Sequence, residues 1–211
     1  MSRKIDVKSI NREIALDASD PAWAAAEAVT IATYWSGETA PEGRHFTARL
    51  LWSESAFHVL FEAYQAEPLV ISDEPDLTGK TIGLWERDVC EIFVAPDRGE
   101  ARRYFEFEAA PTGEWLDLGI DLTSGERVTD WEYTSGMEAA ARMEEGRLSI
   151  AMNIPWKAFG NRPEPGDIWL GNIFRCVGTG PGRGYLAWQP TMTKEPQFHI
   201  PAAFGEFRFI K

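Results

Sequence analysis

The residues best suited to chemistry in this sequence are two glutamates in neighbouring segments of alternating polarity. Glu91 falls on the same side of its segment as Phe93. Glu106 falls on the same side of the next segment as Tyr104 and Glu108. If the two segments form adjacent strands, the carboxylates of Glu91 and Glu106 come close together. Because burying an unpaired carboxylate is costly, each must find a partner or a ligand.

Several roles for this pair stay open. Two nearby carboxylates can act as acid and base in glycoside chemistry, or accept hydrogen bonds from sugar hydroxyls. They can also contribute oxygen ligands to a calcium site. The structural alternatives are an ion pair of Glu91 with Arg103 or Arg175, and a solvated acidic face of a strand.

Aromatic residues are the second notable feature, with nine Trp and twelve Phe in 211 residues. Trp85 precedes the strand of Glu91, in a stretch that reads as a loop because of Gly79 and Gly83. An indole exposed on a loop offers its face to the slightly positive C–H bonds of a sugar ring, and the apolar contact excludes water. Trp85 is therefore a candidate binding residue for a flat, neutral ligand.

Motifs for other chemistries are missing from the sequence. His199 could act as a base, but neither GxSxG nor HExxH occurs. The glycines of 178–184 lack the context of a phosphate-binding loop and predict a hairpin tip. Cys90 and Cys176 form no CxxC motif, which disfavours zinc; we expect two buried thiols, with one disulfide as the alternative.

The elements that must position these residues are mostly strands. Period-two alternation predicts strands at 46–52, 57–63, 88–94, 103–109, 114–120, 137–143, 147–154, 168–177 and 206–210. Helical signal is weak: Asp20 and Pro21 cap a short helix through the residues WAAAEA, and a single turn leads from 154 to Gly160. The prediction is one all-β domain over residues 1–211, an antiparallel β-sandwich of jelly-roll or immunoglobulin-like type with one or two short helical turns.

The net charge of the protein indicates which classes of binding partner are disfavoured. The net charge of −12 disfavours nucleic acid and anionic membrane surfaces, since both require clustered Lys and Arg. No run of about 18 apolar residues predicts a membrane-spanning helix. The first residues contain no apolar signal-peptide core, so the compartment stays open between the cytoplasm and secretion with a signal removed. Small neutral ligands and metal cations remain, with Asp73, Asp76 and Asp88 as candidate calcium ligands.

Eight segments in order resemble the family 9 carbohydrate-binding modules: DPAW, LLWSESAFHVLFEA, LWERDVCEIFV, RYFEFEAAPTGEW, IPW, GNIFR, WQPT and FHIPAAFG. The resemblance runs from about Asp17 to Lys211. It implies a β-sandwich that binds glycans between two aromatic rings without cleaving them, often with bound calcium, in modules that accompany polysaccharide-degrading enzymes. A mono- or oligosaccharide is the implied partner. No cofactor is expected to be required, with structural calcium as an addition.

Carried over by residue, the resemblance assigns the first sandwiching ring to Trp85 and the hydroxyl-binding carboxylate to Glu91. The second ring falls on Phe198. Two positions depart from the family pattern, since Glu106 stands where sugar binders carry an arginine and Glu195 where they carry an asparagine. Losing a cationic donor and gaining a carboxylate changes the hydrogen bonds that a ligand must make.

The predicted function is non-catalytic carbohydrate binding. Trp85 and Phe198 would stack on the sugar, while Glu91 and Glu106 would accept hydroxyl hydrogen bonds. Two further candidate contacts are Trp188 and Arg175, for which a core position and an ion pair are the structural alternatives. The alternatives for the whole chain are a structural or protein-interaction module on the same scaffold and a glycoside hydrolase using Glu91 and Glu106.

Overall fold

The computed structural model describes residues 3–211 and consists mainly of strands. In chain order they are β1 (Lys4–Ser9), β2 (Val29–Ile31), β3 (Phe46–Trp52), β4 (Ala56–Tyr64), β5 (Val89–Ala95), β6 (Arg103–Ala109), β7 (Trp115–Asp121), β8 (Val128–Asp130), β9 (Glu138–Glu144), β10 (Arg147–Pro155), β11 (Ile168–Val177), β12 (Gly184–Ala187) and β13 (Gly205–Ile210). The helical segments are short 3-10 turns at Pro21–Ala25, Glu42–Arg44, Leu84–Glu86, Arg98–Glu100, Trp156–Ala158, Gly180–Gly182 and Pro201–Ala203.

The strands form a curled sheet in the order β8-β7-β6-β5-β11-β13-β1-β3-β4-β10-β9, with β12 added beside β11 and β2 beside β3. The sheet folds over on itself into a β-sandwich, which confirms the predicted fold class. Two details differ from the expectation. β1 pairs in parallel with both β13 and β3, and the described residues contain seven helical turns where one or two were expected.

All nine predicted strands are present, with bounds shifted by at most one residue. The alternation of apolar and polar residues identifies these strands, because each strand buries the side chains of one face against the core. The strands that the sequence did not predict are β1, β2, β8 and β12, all short or rich in polar residues. The glycine-rich stretch 178–184 forms the tip of the β11–β12 hairpin, as predicted.

Two apolar clusters lie on opposite faces of the half-sheet formed by β5, β6, β7 and β11. The main cluster fills the sandwich and includes Phe107, Ile173 and Trp188. The second cluster covers the outer face and includes Phe93 and Phe174. Because side chains alternate along each strand, neighbours in sequence fall into different clusters. The candidate site lies on the outer face.

Gly171 is required where β11 crosses between β5 and β13. A Cβ atom there would lie 2.3 Å from the carbonyl oxygen of Phe93 and 2.3 Å from the ring of Phe207. We expect Gly171→Ala to lower the free energy of unfolding by roughly 2 kcal/mol, since the backbone oxygen cannot rotate away. Urea denaturation measures this.

The matched control is Gly79→Ala, because a Cβ atom at Gly79 would meet no heavy atom within 4 Å. We expect the control to change the free energy of unfolding by less than about 0.5 kcal/mol. Equal stabilities for the two variants would show that the backbone at Gly171 has room to move.

Within residues 3–211, no helix is long and apolar enough to span a membrane.

Candidate functional site

A cleft of about 490 Å³ opens on the outer face of β5, β6 and β7. Its floor comes from side chains of these strands, and its walls come from residues 85–86, from β8 with its flanking residues, from the β11–β12 hairpin and from residues 196–199. Four of the six candidate site residues line it, namely Trp85, Glu91, Glu106 and Phe198. The cleft is therefore where the sequence-predicted residues meet.

Three buried glutamates form the glutamate triad: Glu91 and Glu106 at the floor of the cleft, and Glu108 beside them without lining the cleft. Glu91 on β5 is directly opposite Glu108 on β6, and Glu106 is opposite Phe93, so the three side chains share one face. One carboxylate oxygen from each lies within 4.8 Å of the others. All three residues are at most 3% exposed. The predicted proximity of Glu91 and Glu106 is thus confirmed, with Glu108 as a third member.

Hydrogen-bond donors to the triad are scarce. Both oxygens of Glu108 and one oxygen of Glu106 are buried and have no hydrogen-bond partner among residues 3–211. The Cys176 thiol donates to Glu91 Oε1 across 3.5 Å, and a thiol is a weak donor. A proton shared between Glu106 and Glu108, or a bound cation, would supply the missing interactions.

Burial dominates the electrostatics of the triad. It raises the pKa of Glu91 well above the usual value, and the neighbouring charge of Glu106 adds to the effect. Burial also raises the pKa of Glu108 well above its usual value, and the negative charges of Glu91 and Glu106 raise it further. The pKa of Glu106 is also raised by burial, although the guanidinium of Arg127 opposes this. The triad therefore tends to keep protons until a cation replaces them.

His199 lies beside the triad but is held as a neutral ring. Its Nδ1 is 2.7 Å from the hydroxyl of Tyr104, and its Nε2 is 3.9 Å from Glu106 Oε2. Burial, together with the smaller effect of the charge of Arg127, lowers the pKa of His199 to about 3. His199 therefore supplies no positive charge to the carboxylates at neutral pH.

The two ion pairs offered as structural alternatives for Glu91 are wrong. Arg103 pairs with Asp121 at 2.9 Å. Arg175 donates to the carbonyl oxygen of Arg44 at 2.9 Å and to the side chain of Gln65. Each arginine is one position away along its strand from a residue that faces the cleft. Because side chains alternate between the two faces of a strand, both arginines project from the face opposite to that of Glu91.

Trp85 is held at the rim of the cleft by a tight turn. The turn begins after Gly83, whose φ of 83° lies in the left-handed region that favours glycine. The guanidinium of Arg183 donates to the carbonyl oxygens of Trp85, Glu86 and Arg87 and so fixes the turn. The indole remains 36% exposed and faces open space in the cleft.

Two further aromatic residues line the cleft. Phe198 stacks on Phe174 with ring centroids 4.0 Å apart, so one of its faces is covered. Trp131, which the sequence analysis did not identify, is 43% exposed, and its ring centroid lies 6.3 Å from that of Trp85. A tryptophan in the polar stretch Asp130–Glu132 was the available signal, but its proximity to Trp85 depends on the tertiary fold.

The remaining candidates do not line the cleft. Trp188 is 1% exposed and stacks on Phe207 in the main cluster. Arg175 is also 1% exposed and lies on the opposite face of β11. Glu195 is exposed on the loop that precedes the cleft wall. Lining residues that the sequence analysis missed include Arg127, Arg183, Tyr185 and Gln197.

The aspartates proposed as calcium ligands do not form a group. Asp88 accepts hydrogen bonds from Gln65 and from the backbone N–H of Gly178, and Asp76 accepts from Thr78. In the part of the chain that the structure describes, the one cluster of acidic side chains close enough to share an ion is the glutamate triad. Bound calcium stays a prediction of the family resemblance.

Cys90 and Cys176 are free and buried, as the preferred interpretation expected. They project from opposite faces of the sheet, because Cys90 belongs to the main cluster and Cys176 to the second. Burial raises the pKa of the Cys90 thiol to about 12. The disulfide alternative is therefore wrong.

The fold matches solved structures over nearly the whole chain. A protein of Bacteroides uniformis to which carbohydrate binding is ascribed has 20% identity and a TM-score of 0.76, with 99% of this chain and 100% of that chain covered. A family 9 carbohydrate-binding module of Caldicellulosiruptor kristjanssonii, solved with cellotriose, has 15% identity and a TM-score of 0.69, with 98% and 93% covered. The glucose complex of a family 9 module from that organism has 16% identity and a TM-score of 0.67, with 98% and 95% covered.

Among curated proteins, none is similar to this chain by sequence. The sequence profile of the family described as "Carbohydrate family 9 binding domain-like" matches residues 16–211. This match covers more than nine-tenths of the chain, and the fold of the solved relatives agrees with it. The chain therefore belongs to the carbohydrate family 9 binding domain-like family.

Proposed function

We propose that this protein binds a carbohydrate without cleaving it, and that the cleft is the binding site. A sugar ring lies against the indole of Trp85, with Phe198 and Trp131 as further aromatic surfaces. Glu91 and Glu106 accept hydrogen bonds from its hydroxyl groups. The observation that carries the proposal is the position of Trp85, which is half-exposed at the rim while buried carboxylates lie at the floor of the same cleft.

Two lines of support come from chemistry and from the relatives. An exposed indole above buried acceptors offers both the apolar contact and the directional hydrogen bonds that a sugar requires. Solved family 9 modules with this fold carry cellotriose and glucose, which makes neutral glucose-type sugars the first ligands to test.

Binding rather than hydrolysis is favoured by the protonation of the triad. A glycosidase needs one carboxyl that stays protonated and one that stays ionised, so its environment pushes the two pKa values apart. Here burial raises the pKa of all three glutamates. Burial therefore favours the protonated form of each, whereas hydrolysis requires one carboxyl of a pair to stay ionised.

We expect Trp85→Ala to weaken sugar binding by roughly thirtyfold in Kd, equivalent to about 2 kcal/mol, because a central aromatic contact is lost. Isothermal titration calorimetry with glucose and cellotriose measures the change. The matched control is Tyr64→Ala, which removes another exposed aromatic side chain outside this cleft and should leave binding unchanged.

Three other results would count against the proposal. Binding that survives Trp85→Ala unchanged would move the site elsewhere. The absence of binding to a panel of mono- and oligosaccharides, from a folded protein, would favour an interaction module. Release of aryl alcohol from an aryl glycoside, abolished in Glu91→Gln, would make the protein an enzyme.

A further inference from the structure

The carboxyl groups of the glutamate triad have few hydrogen-bond donors, and burial favours their protonated form unless a ligand brings a positive charge. Glu106 and Glu108 present three buried oxygens without a hydrogen-bond partner in the described chain. Glu91 receives only the weak thiol donor of Cys176 from residues 3–211. A buried carboxylate without a counter-charge costs several kcal/mol. A ligand that brings a positive charge would offset this cost, whereas a neutral ligand would leave most of it.

We propose that the cleft selects an amino sugar, a hexose with a free protonated amine, whose ammonium group binds at the glutamate triad. This inference rests on the proposed carbohydrate-binding function and specifies its ligand class. The sugar ring lies against Trp85, and its ammonium is directed to Glu91 and Glu106 at the cleft floor, with Glu108 behind them.

The oxygens of the triad are close enough together for one ammonium group to contact all three carboxylates. Charge-assisted N–H···O bonds of about 2.8 Å, directed tetrahedrally, place three acceptors about 4.6 Å apart. The nearest oxygens of the triad lie within 4.8 Å of one another. A hydroxyl has only one donor hydrogen, so three separate hydroxyls would be needed to satisfy the same three carboxylates.

The walls of the cleft also favour a cation. Trp85, Trp131, Tyr185 and Phe198 surround it with aromatic rings, whose negative faces attract positive charge. The structure already contains one such contact, because the guanidinium carbon of Arg183 lies 5.5 Å from the centre of the Tyr185 ring. Aromatic walls above an anionic floor are thus suited to an organic cation.

The two arginines that line the cleft do not neutralise the triad to the same degree. Arg183 is engaged by backbone carbonyl oxygens, including those of Trp85 and Gly178. Arg127 is exposed at the mouth, and its charge lowers the pKa of Glu106. Arg127 is therefore a competitor of the ligand's ammonium, and its removal should strengthen binding.

A calcium ion fits the triad less well than an ammonium group. Calcium takes six to eight oxygen ligands, including backbone carbonyls and water. Beside the triad, the ring of Phe93 and the thiol of Cys176 offer no oxygen, and His199 offers a ring nitrogen. The titration therefore includes calcium as a competing ligand of the triad.

The test is calorimetric titration with glucosamine, glucose, N-acetylglucosamine and glucuronic acid at pH 6.5 and fixed salt, with EDTA present. We expect glucosamine to bind at least tenfold more tightly than the other three sugars. Glu91→Gln should remove this preference, and Arg127→Gln should increase glucosamine affinity a few-fold. Circular dichroism checks that both variants are folded.

Each other outcome has a distinct meaning. Equal affinity for glucose and glucosamine overturns the amino-sugar proposal and leaves carbohydrate binding intact. Preference for glucuronic acid, lost in Arg127→Gln, also overturns it and makes Arg127 the anion-binding residue. Glucose binding that appears only when calcium replaces EDTA assigns the triad to the ion. If none of the sugars on this panel or the wider one binds under either condition, the proposed function itself fails.

Discussion

Trp188→Ala is expected to lower the free energy of unfolding by about 3–5 kcal/mol, the cost typical of truncating a buried aromatic residue. Trp188 is 1% exposed, and its ring stacks on Phe207 with centroids 5.7 Å apart. It also fills the space above Gly205, where a Cβ atom would lie 2.3 Å from the indole. Urea denaturation measures the loss, since the indole is replaced by a cavity that the surrounding strands cannot close.

Trp85→Ala is the control for this prediction, because it removes the same side chain from a 36% exposed position. It should change the free energy of unfolding by less than about 0.5 kcal/mol while it weakens sugar binding. The two tryptophans are thus expected to separate stability from binding. If the Trp188→Ala protein had wild-type stability but no longer bound sugar, Trp188 would be a ligand contact.

Glu108→Gln is expected to raise the free energy of unfolding at pH 8 by on the order of 2 kcal/mol, because it removes a buried carboxyl that must either take up a proton or stay charged without a partner. The amide is nearly isosteric with the carboxyl and donates N–H groups to the remaining carboxylates. Most single substitutions destabilise a protein, so a gain of this size would identify the triad as a site kept for function at the expense of stability.

The gain should depend on pH in a defined direction. Burial raises the pKa of Glu108 in the folded protein, so the folded state holds a proton that the unfolded state loses above about pH 4.3. The stability that Glu108 contributes to the wild-type protein is fully present below that pH. It decreases as the pH rises toward the raised pKa of Glu108 in the folded state. The advantage of Glu108→Gln should therefore be small at pH 4.5 and increase toward pH 8.

The exposed Glu126 provides the control, since Glu126→Gln removes the same charge from a loop and should change stability by less than about 0.5 kcal/mol at both pH values. A Glu108→Gln protein that is less stable than wild type at pH 8 would mean that the triad is compensated in the folded state. The amino-sugar inference would then lose its main physical argument.

Much of the fold followed from local pattern. Nine strands could be predicted because alternation marks a strand that buries one face, and this signal needs no knowledge of its neighbours. The proximity of Glu91 and Glu106 also followed, because strands that are consecutive in sequence commonly pair. The short strand β8 was missed because three residues are too few to establish a period.

The site was predicted less completely than the fold. Glu91, Glu106, Trp85 and Phe198 do line one cleft. Glu108 was placed on the correct face, but no sequence pattern indicated that its carboxylate would lack a hydrogen-bond donor. Trp131 could not be predicted, because its contact with Trp85 joins loops that are 46 residues apart.

The sequence by itself determined the family, the β-sandwich and the pair of inward-facing glutamates, because these depend on residue order and on the two-residue period of a strand. Only the tertiary structure decided which aromatic residues reach the cleft and which, like Trp188, fill the core. It also decided that Arg103 and Arg175 project from the opposite face and that Arg183 binds backbone carbonyl oxygens. The physical reason is that burial and charge compensation depend on distances between segments far apart in the chain, which no local pattern encodes.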